Sequence, residues 1–136
     1  MKLYFAGPLF CNAEKEFNKK LTEQIEALGY HVFLPQRDGV SENSPKAIFD
    51  LDKKEMMTSD IFLFVLDGRI PDEGACVALG MSYMHKQFVN QNILLIGLHT
   101  DKRGAYVNSK LNPMLEASMD SIFESVSELL KYLSNL

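Results

Sequence analysis

Long apolar runs are missing from this sequence, as are basic clusters, a cysteine framework and histidines at metal-ligand spacing. No apolar stretch approaches the roughly 20 residues that a membrane-spanning helix needs. Lys2 leads directly into a strand-like segment, so a signal peptide is not expected either. The lysines and arginines are scattered and the formal net charge is -4, which speaks against a nucleic-acid surface. Cys11 and Cys76 lie far apart in unlike contexts and form no disulfide framework, so the expected compartment is a reducing cytoplasm. His31, His85 and His99 are not spaced as ligands, and neither a metal nor another cofactor is expected.

What is present is 136 residues, 46% hydrophobic and 24% charged, enough to close one core in one domain spanning residues 1–136. Residues 2–6 form a short apolar run ended by Gly7-Pro8, a strand and a turn. Asn12 is expected to cap a helix with Phe17, Leu21, Ile25 and Leu28 on one stripe and Gly29 as its stop. A second strand covers 31–34 and a polar loop 36–43. Ser44-Pro45 opens a helix running to about Thr58. The continuous apolar run 61–66 predicts a strand covered on both faces, as in a parallel sheet. A loop over 67–72, a helix over 73–87, a buried strand over 92–98 and a loop over 100–111 follow. A terminal helix is expected over 121–133, with Ile122, Val126, Leu129, Leu130 and Leu133 facing inward. Strands alternating with helices predict an α/β fold: one flavodoxin-like, doubly wound domain with a mostly parallel sheet and helices on both faces.

In such sheets ligands bind beyond the carboxyl ends of the strands, which directs attention to the loops after Phe5, Leu34, Leu66 and Leu98. The loop from Asp67 to Gly74 holds several carboxylates. Asp72 there either caps the next helix on a solvated turn or accepts sugar hydroxyls, and Gly74 allows close approach of a ligand to the backbone. Asp52 sits four residues from both Ile48 and Met56, in an apolar stripe. Either that helix turns Asp52 to water, or the carboxyl has a partner, a ligand or a raised pKa, and can then pass a proton to a departing base. Tyr4 and Phe10 are aromatic residues that a core alone can explain. The first loop lacks dinucleotide or phosphate-loop spacing, no Ser/His/Asp order is evident, and Cys76 inside a helix reads as packing.

Five segments then come in order: Tyr4-Phe5-Ala6-Gly7-Pro8-Leu9-Phe10, Leu34-Pro35-Gln36-Arg37-Asp38-Gly39, Asp52, Asp67 to Gly80, and Asn112-Pro113-Met114. Together they resemble the successive motifs of nucleoside 2-deoxyribosyltransferases. The resemblance implies transfer of 2-deoxyribose between nucleobases: a glutamate attacks the anomeric carbon, the base departs, and a second base resolves the covalent glycosyl-enzyme with retention. It further implies nucleosides and free nucleobases as ligands, no cofactor, and a homo-oligomer with composite sites. By the same resemblance Tyr4 orients the glutamate, while Asp52 and Asp72 serve the leaving base and the sugar. Gln36 contacts the base edge and Phe10 flanks the base. Gly7, Asp67 and Gly74 are expected to bind substrate, and Asn112 and Met114 reach the sugar 5′ side of a neighbouring subunit.

The departure is at the centre of the pattern. The glutamate is expected four residues past Gly74 and just before Leu79-Gly80, and Ala78 stands there. An alanine cannot attack, so covalent catalysis is expected to be impaired on the order of 10³-fold or more. Two origins fit: a nucleophile removed by design so as to trap substrate, favoured by retention of Asp52, Asp72, Gln36 and the Asn-x-Met element, or a natural homologue that binds without turnover. Beside the transferase reading stand a nucleoside 5′-monophosphate N-glycosidase, which needs a phosphate pocket at the sugar 5′ end, and a non-catalytic nucleoside-binding module.

Overall fold

In a computed structural model of the chain, which describes residues 1–41, 44–107 and 110–136, the apolar runs become strands Lys2–Ala6 (β1), His31–Phe33 (β2), Ile61–Val65 (β3) and Leu94–Leu98 (β4). A short fifth strand, Ser121–Phe123 (β5), completes a sheet of order β2-β1-β3-β4-β5 in which every neighbouring pair is parallel. The long helices are Asn12–Glu26 (α1), Pro45–Met57 (α3), Glu73–Phe88 (α4) and Val126–Leu133 (α7). Short helical turns cover Pro35–Asp38 (α2), Gly104–Val107 (α5) and Pro113–Ala117 (α6). The fold is flavodoxin-like and doubly wound, and the chain reverses its direction of travel across the sheet between β1 and β3.

Strand parity distributes the core. Successive side chains on a strand point to opposite faces. Leu3, Phe5, Ile61, Leu63, Val65, Ile96 and Leu98 therefore pack with Leu21 and Ile25 of α1 and with Leu129 and Leu133 of α7. Tyr4, Ala6, Phe62, Phe64 and Leu95 go to the other face, against Met56 of α3 and Ala75 and Leu79 of α4. All five residues of β3 are buried, as an apolar run without alternation requires of a central strand. Among the described residues no helix is long and apolar enough to cross a membrane.

Helix ends follow local chemistry. Ser44 Oγ accepts from Ala47 N at 3.3 Å, with Pro45 in the first turn. Gly29 follows α1 at φ +92, a region that glycine enters without steric cost. Leu28, expected on the inward stripe of α1, is 42% exposed because the helix has already ended. Cys11, not Asn12, precedes that helix, and Glu14 reaches back to accept from Phe10 N at 2.8 Å and Cys11 N at 2.9 Å.

The C-terminal expectation needs correction. Residues 121–133 do not form one helix. Ser121, Ile122 and Phe123 pair in parallel with Ile96, Gly97 and Leu98, and α7 starts only at Val126. The helical spacing of Ile122 with the α7 stripe is coincidental, because the edge of β4 offers backbone groups that an isolated helix turn cannot satisfy. The break was visible locally: Ser125 Oγ accepts from Glu128 N at 3.3 Å while Glu128 Oε2 accepts from Glu124 N at 3.1 Å. The loops expected over 36–43 and 100–111 likewise contain the one-turn helices α2 and α5.

Asp120 anchors the added strand. Its Oδ2 accepts from Leu95 N at 2.7 Å and from Lys86 Nζ at 2.7 Å, and Lys86 Nζ also donates to Ile93 O at 2.8 Å. Asp120→Ala is expected to lower unfolding stability in urea by about 2 kcal/mol, since it leaves charge-assisted bonds unmade. An unchanged urea midpoint at constant slope is the contrary result.

Candidate active site

The strand parity that buries Phe5 on one face carries Tyr4 to the other, beneath α3 and α4. Its ring lies between Phe33 and Phe62, with centroids at 5.6 and 5.7 Å and planes within 15° and 7° of parallel. The ring is thus held between two aromatic neighbours. Tyr4 borders the same cavity as Asp52 of α3, near enough for the two groups to act on each other. Burial, then the charge and hydrogen bonding of Asp52, hold the Tyr4 hydroxyl well above its ordinary pKa. Burial also raises the Asp52 carboxyl, and its contact with Tyr4 offsets only part of that rise.

Ile48, Asp52 and Met56 do share one stripe of α3, but that stripe borders a cavity rather than a closed core. Ile48 is 42% exposed and Met56 only 2%. Asp52 sits half-buried between them, which explains how a carboxylate tolerates apolar neighbours.

The cavity measures about 610 Å³ and opens beyond the carboxyl ends of β1 and β3, where the sheet changes direction. Tyr4, Gly7 and Phe10 border it from the β1 end, Asp52 from α3, and Asp72, Gly74 and Ala78 from the start of α4. Its remaining walls are largely apolar, with Met81 on α4 and the ring of Phe49 on α3, and Lys53 is its cationic lining residue. At Gly7 a Cβ would lie 3.0 Å from Val65 Cβ, a tight contact that Val65 would have to yield to. At Gly74 a Cβ would lie 3.3 Å from Asp72 Oδ2.

Asp72 serves two ends at once. Its Oδ2 accepts from Ala75 N at 2.8 Å as the cap of α4, and the residue still borders the cavity. The two readings of Asp72 are therefore compatible.

Gln36 and Asp67 are engaged elsewhere. Gln36 Nε2 donates to Lys15 O at 2.9 Å, and its Oε1 accepts from Asn18 Nδ2 at 3.0 Å. Asp67 joins the loops after β3 and β4, with Oδ1 accepting from Thr100 N at 2.6 Å and Asp101 N at 2.9 Å. Its Oδ2 accepts from Thr100 Oγ1 at 2.5 Å. Neither residue borders the cavity that holds Asp52 and Asp72. Asn112 caps α6, accepting from Met114 N at 2.9 Å, and Met114 is 77% exposed, away from that cavity. Phe49 is a lining residue that no motif in the sequence marks. Its position next to Ile48 on α3 was the available signal. Among the described residues no group of three or more His, Cys, Asp or Glu is placed to hold a metal.

The family model for nucleoside 2-deoxyribosyltransferase matches residues 3–116, most of the chain and every element that borders the cavity. The chain belongs to the nucleoside 2-deoxyribosyltransferase family. A comparison with curated protein sequences returns no match. Among solved structures, a conserved protein from Enterococcus faecalis V583 is similar, at 25% identity and TM-score 0.83 over 99% of this chain and 98% of its own. A 2-deoxyribosyltransferase from Bacillus psychrosaccharolyticus shares 20% identity at TM-score 0.75, over 97% and 92% of the two chains. A CMP N-glycosidase from Clostridium botulinum shares 20% identity at TM-score 0.62, over 99% and 98%. At those identities the last two likenesses establish the fold that this family member shares with them. Family membership itself rests on the matched sequence.

Proposed function

We propose that this family member is a deoxyribonucleoside-binding scaffold built for cleavage and re-formation of the N-glycosidic bond, with Ala78 at the place of the attacking carboxylate. The observation that carries this reading is the gathering of Tyr4, Asp52, Asp72, Gly74 and Ala78 around one cavity. Apolar walls suit a planar base, Asp52 suits a leaving nitrogen that needs a proton, and Asp72 suits sugar hydroxyls. Ala78 borders the same space one turn beyond Gly74, with no group able to form a glycosyl bond.

A free 5′-hydroxyl is favoured over a 5′-phosphate, because among the described residues the cavity is lined by the carboxylates Asp52 and Asp72 against the cation Lys53. Calorimetry with deoxyinosine and deoxyuridine is expected to show binding, while chromatography of the same mixtures shows the nucleosides intact after prolonged incubation. Base exchange at the rate of a competent enzyme overturns the role given to Ala78. Absence of any nucleoside binding overturns the whole reading.

Assembly is part of the proposal. Met114 is exposed and lies apart from the cavity of its own chain, which supports donation of the Asn112-Pro113-Met114 segment to a neighbouring site. A homo-oligomer is expected in sedimentation at micromolar concentration. A monomer that still binds nucleoside is the contrary result.

A further inference from the structure

A second cavity, of about 420 Å³, lies on the far side of the loop that follows β3, between that loop and the segment after β4. Arg69, Arg103, Lys110, His99 and Asn112 border it, and among the described residues Asp101 is its one lining carboxylate. Among the described lining residues three permanent cations stand against one acid, in a chain with a formal net charge of -4. Asp67 acts on Arg103 from beside the cavity, and Arg69 also borders an adjoining hollow lined by Asp67, Asp72 and Glu73.

The one carboxylate is already occupied. Asp101 accepts from Arg103 N at 2.9 Å and from Arg103 Nε at 2.7 Å, and it is also paired with Arg103 Nη2. This pairing holds the guanidinium through Nε and Nη2 and leaves the Nη1 donors for another acceptor. Among the described residues Arg69 and Lys110 make no ion pair. Leu66, Ile70 and Leu111 supply an apolar wall on the same cavity. One cationic wall and one apolar wall, in a volume suited to a small molecule, match an anionic head on a compact organic body.

We infer that this second cavity is a binding site for a phosphate monoester, held by Arg69, Arg103 and Lys110 and separate from the cavity of Asp52 and Asp72. The dianionic head neutralises the excess positive charge, and Arg103, fixed by Asp101, is a preorganised donor. A free phosphate ion offers the same head without the body, and the apolar wall favours the ester.

The test is calorimetry of the full chain in phosphate-free, low-salt buffer with three probes: inorganic phosphate, ribose 5-phosphate and ribose. Ribose 5-phosphate is expected to bind, inorganic phosphate more weakly, and ribose not at all. Arg69→Ala combined with Lys110→Ala is expected to weaken ribose 5-phosphate by about tenfold or more. Lys19→Ala combined with Lys20→Ala, which removes the same charge from the exposed side of α1, is expected to leave it unchanged. Thermal unfolding confirms that both double variants fold. The proposal is overturned if the unmodified chain binds neither phosphate probe, if both double variants weaken binding equally, or if deoxyuridine displaces ribose 5-phosphate. Failure of deoxyuridine to bind at all bears on the nucleoside reading alone, because the phosphate probes report independently of it.

Discussion

Ala78→Glu is expected to raise deoxyribosyl transfer on the order of 10³-fold or more over the present chain. The side chain of residue 78 is half-buried at the cavity wall, on a helix whose cap, Asp72, is already formed. Glutamate is a good helix former, so the backbone has no reason to move. The added atoms enter open space of about 610 Å³ shared with Tyr4 and Asp72. On the proposed reading of position 78, a carboxylate there supplies a group that can hold the sugar while one base leaves and another arrives. Chromatography of deoxyinosine with a second free base should show the new nucleoside. Without an acceptor, slow hydrolysis of the donor should appear, because water resolves the same intermediate. A variant that folds, binds nucleoside and shows neither reaction removes Ala78 from the mechanism and leaves a binding module.

In the Ala78→Glu background, Asp52→Asn is expected to lower exchange about 100-fold while nucleoside still binds. The amide keeps the shape of the carboxyl and loses its transferable proton. Burial raises the pKa of Asp52 in the folded chain, so the acid form persists to higher pH than for an exposed aspartate. Exchange that depends on that acid form falls as pH rises through the raised value, and the Asn variant should lose this limb of the profile. Parallel profiles for the two proteins remove the proton from Asp52's role.

The same shift has a stability consequence of definite sign. The folded state binds the Asp52 proton more tightly than the unfolded chain does. Its contribution is therefore fully present below the ordinary aspartate pKa and is lost as pH rises through the raised one. Asp52→Asn should accordingly be at least as stable as the parent at neutral pH in the chain as it stands, with that relative gain disappearing on acidification. Urea denaturation at acid and neutral pH measures the difference.

Local chemistry was enough for most elements. The run in β3 contains no residue that tolerates water, so a strand covered on both faces was the available solution. Ser44-Pro45 marked a helix start that the structure keeps, whereas α1 already ends at Glu26, ahead of Gly29. β5 was illegible from hydrophobic spacing because its three residues are only half-buried and its strand state depends on pairing with β4. The Ser125 and Glu128 pair, a few residues later, carried the missing information about where the helix begins.

By itself, the sequence determined the parallel α/β architecture, the family and the absence of a carboxylate at position 78, because these depend on residue type and order. Which polar groups meet was decided by tertiary structure. Parity on β1 and the turn of α3 bring Tyr4 to Asp52 across 48 positions of chain, where burial shifts both groups in a way neither shows alone. Packing also withdrew Gln36 to Asn18 and Lys15, and Asp67 to the loop after β4. A buried or half-buried polar atom takes the nearest partner that geometry offers, and that partner is set by the packing of distant segments.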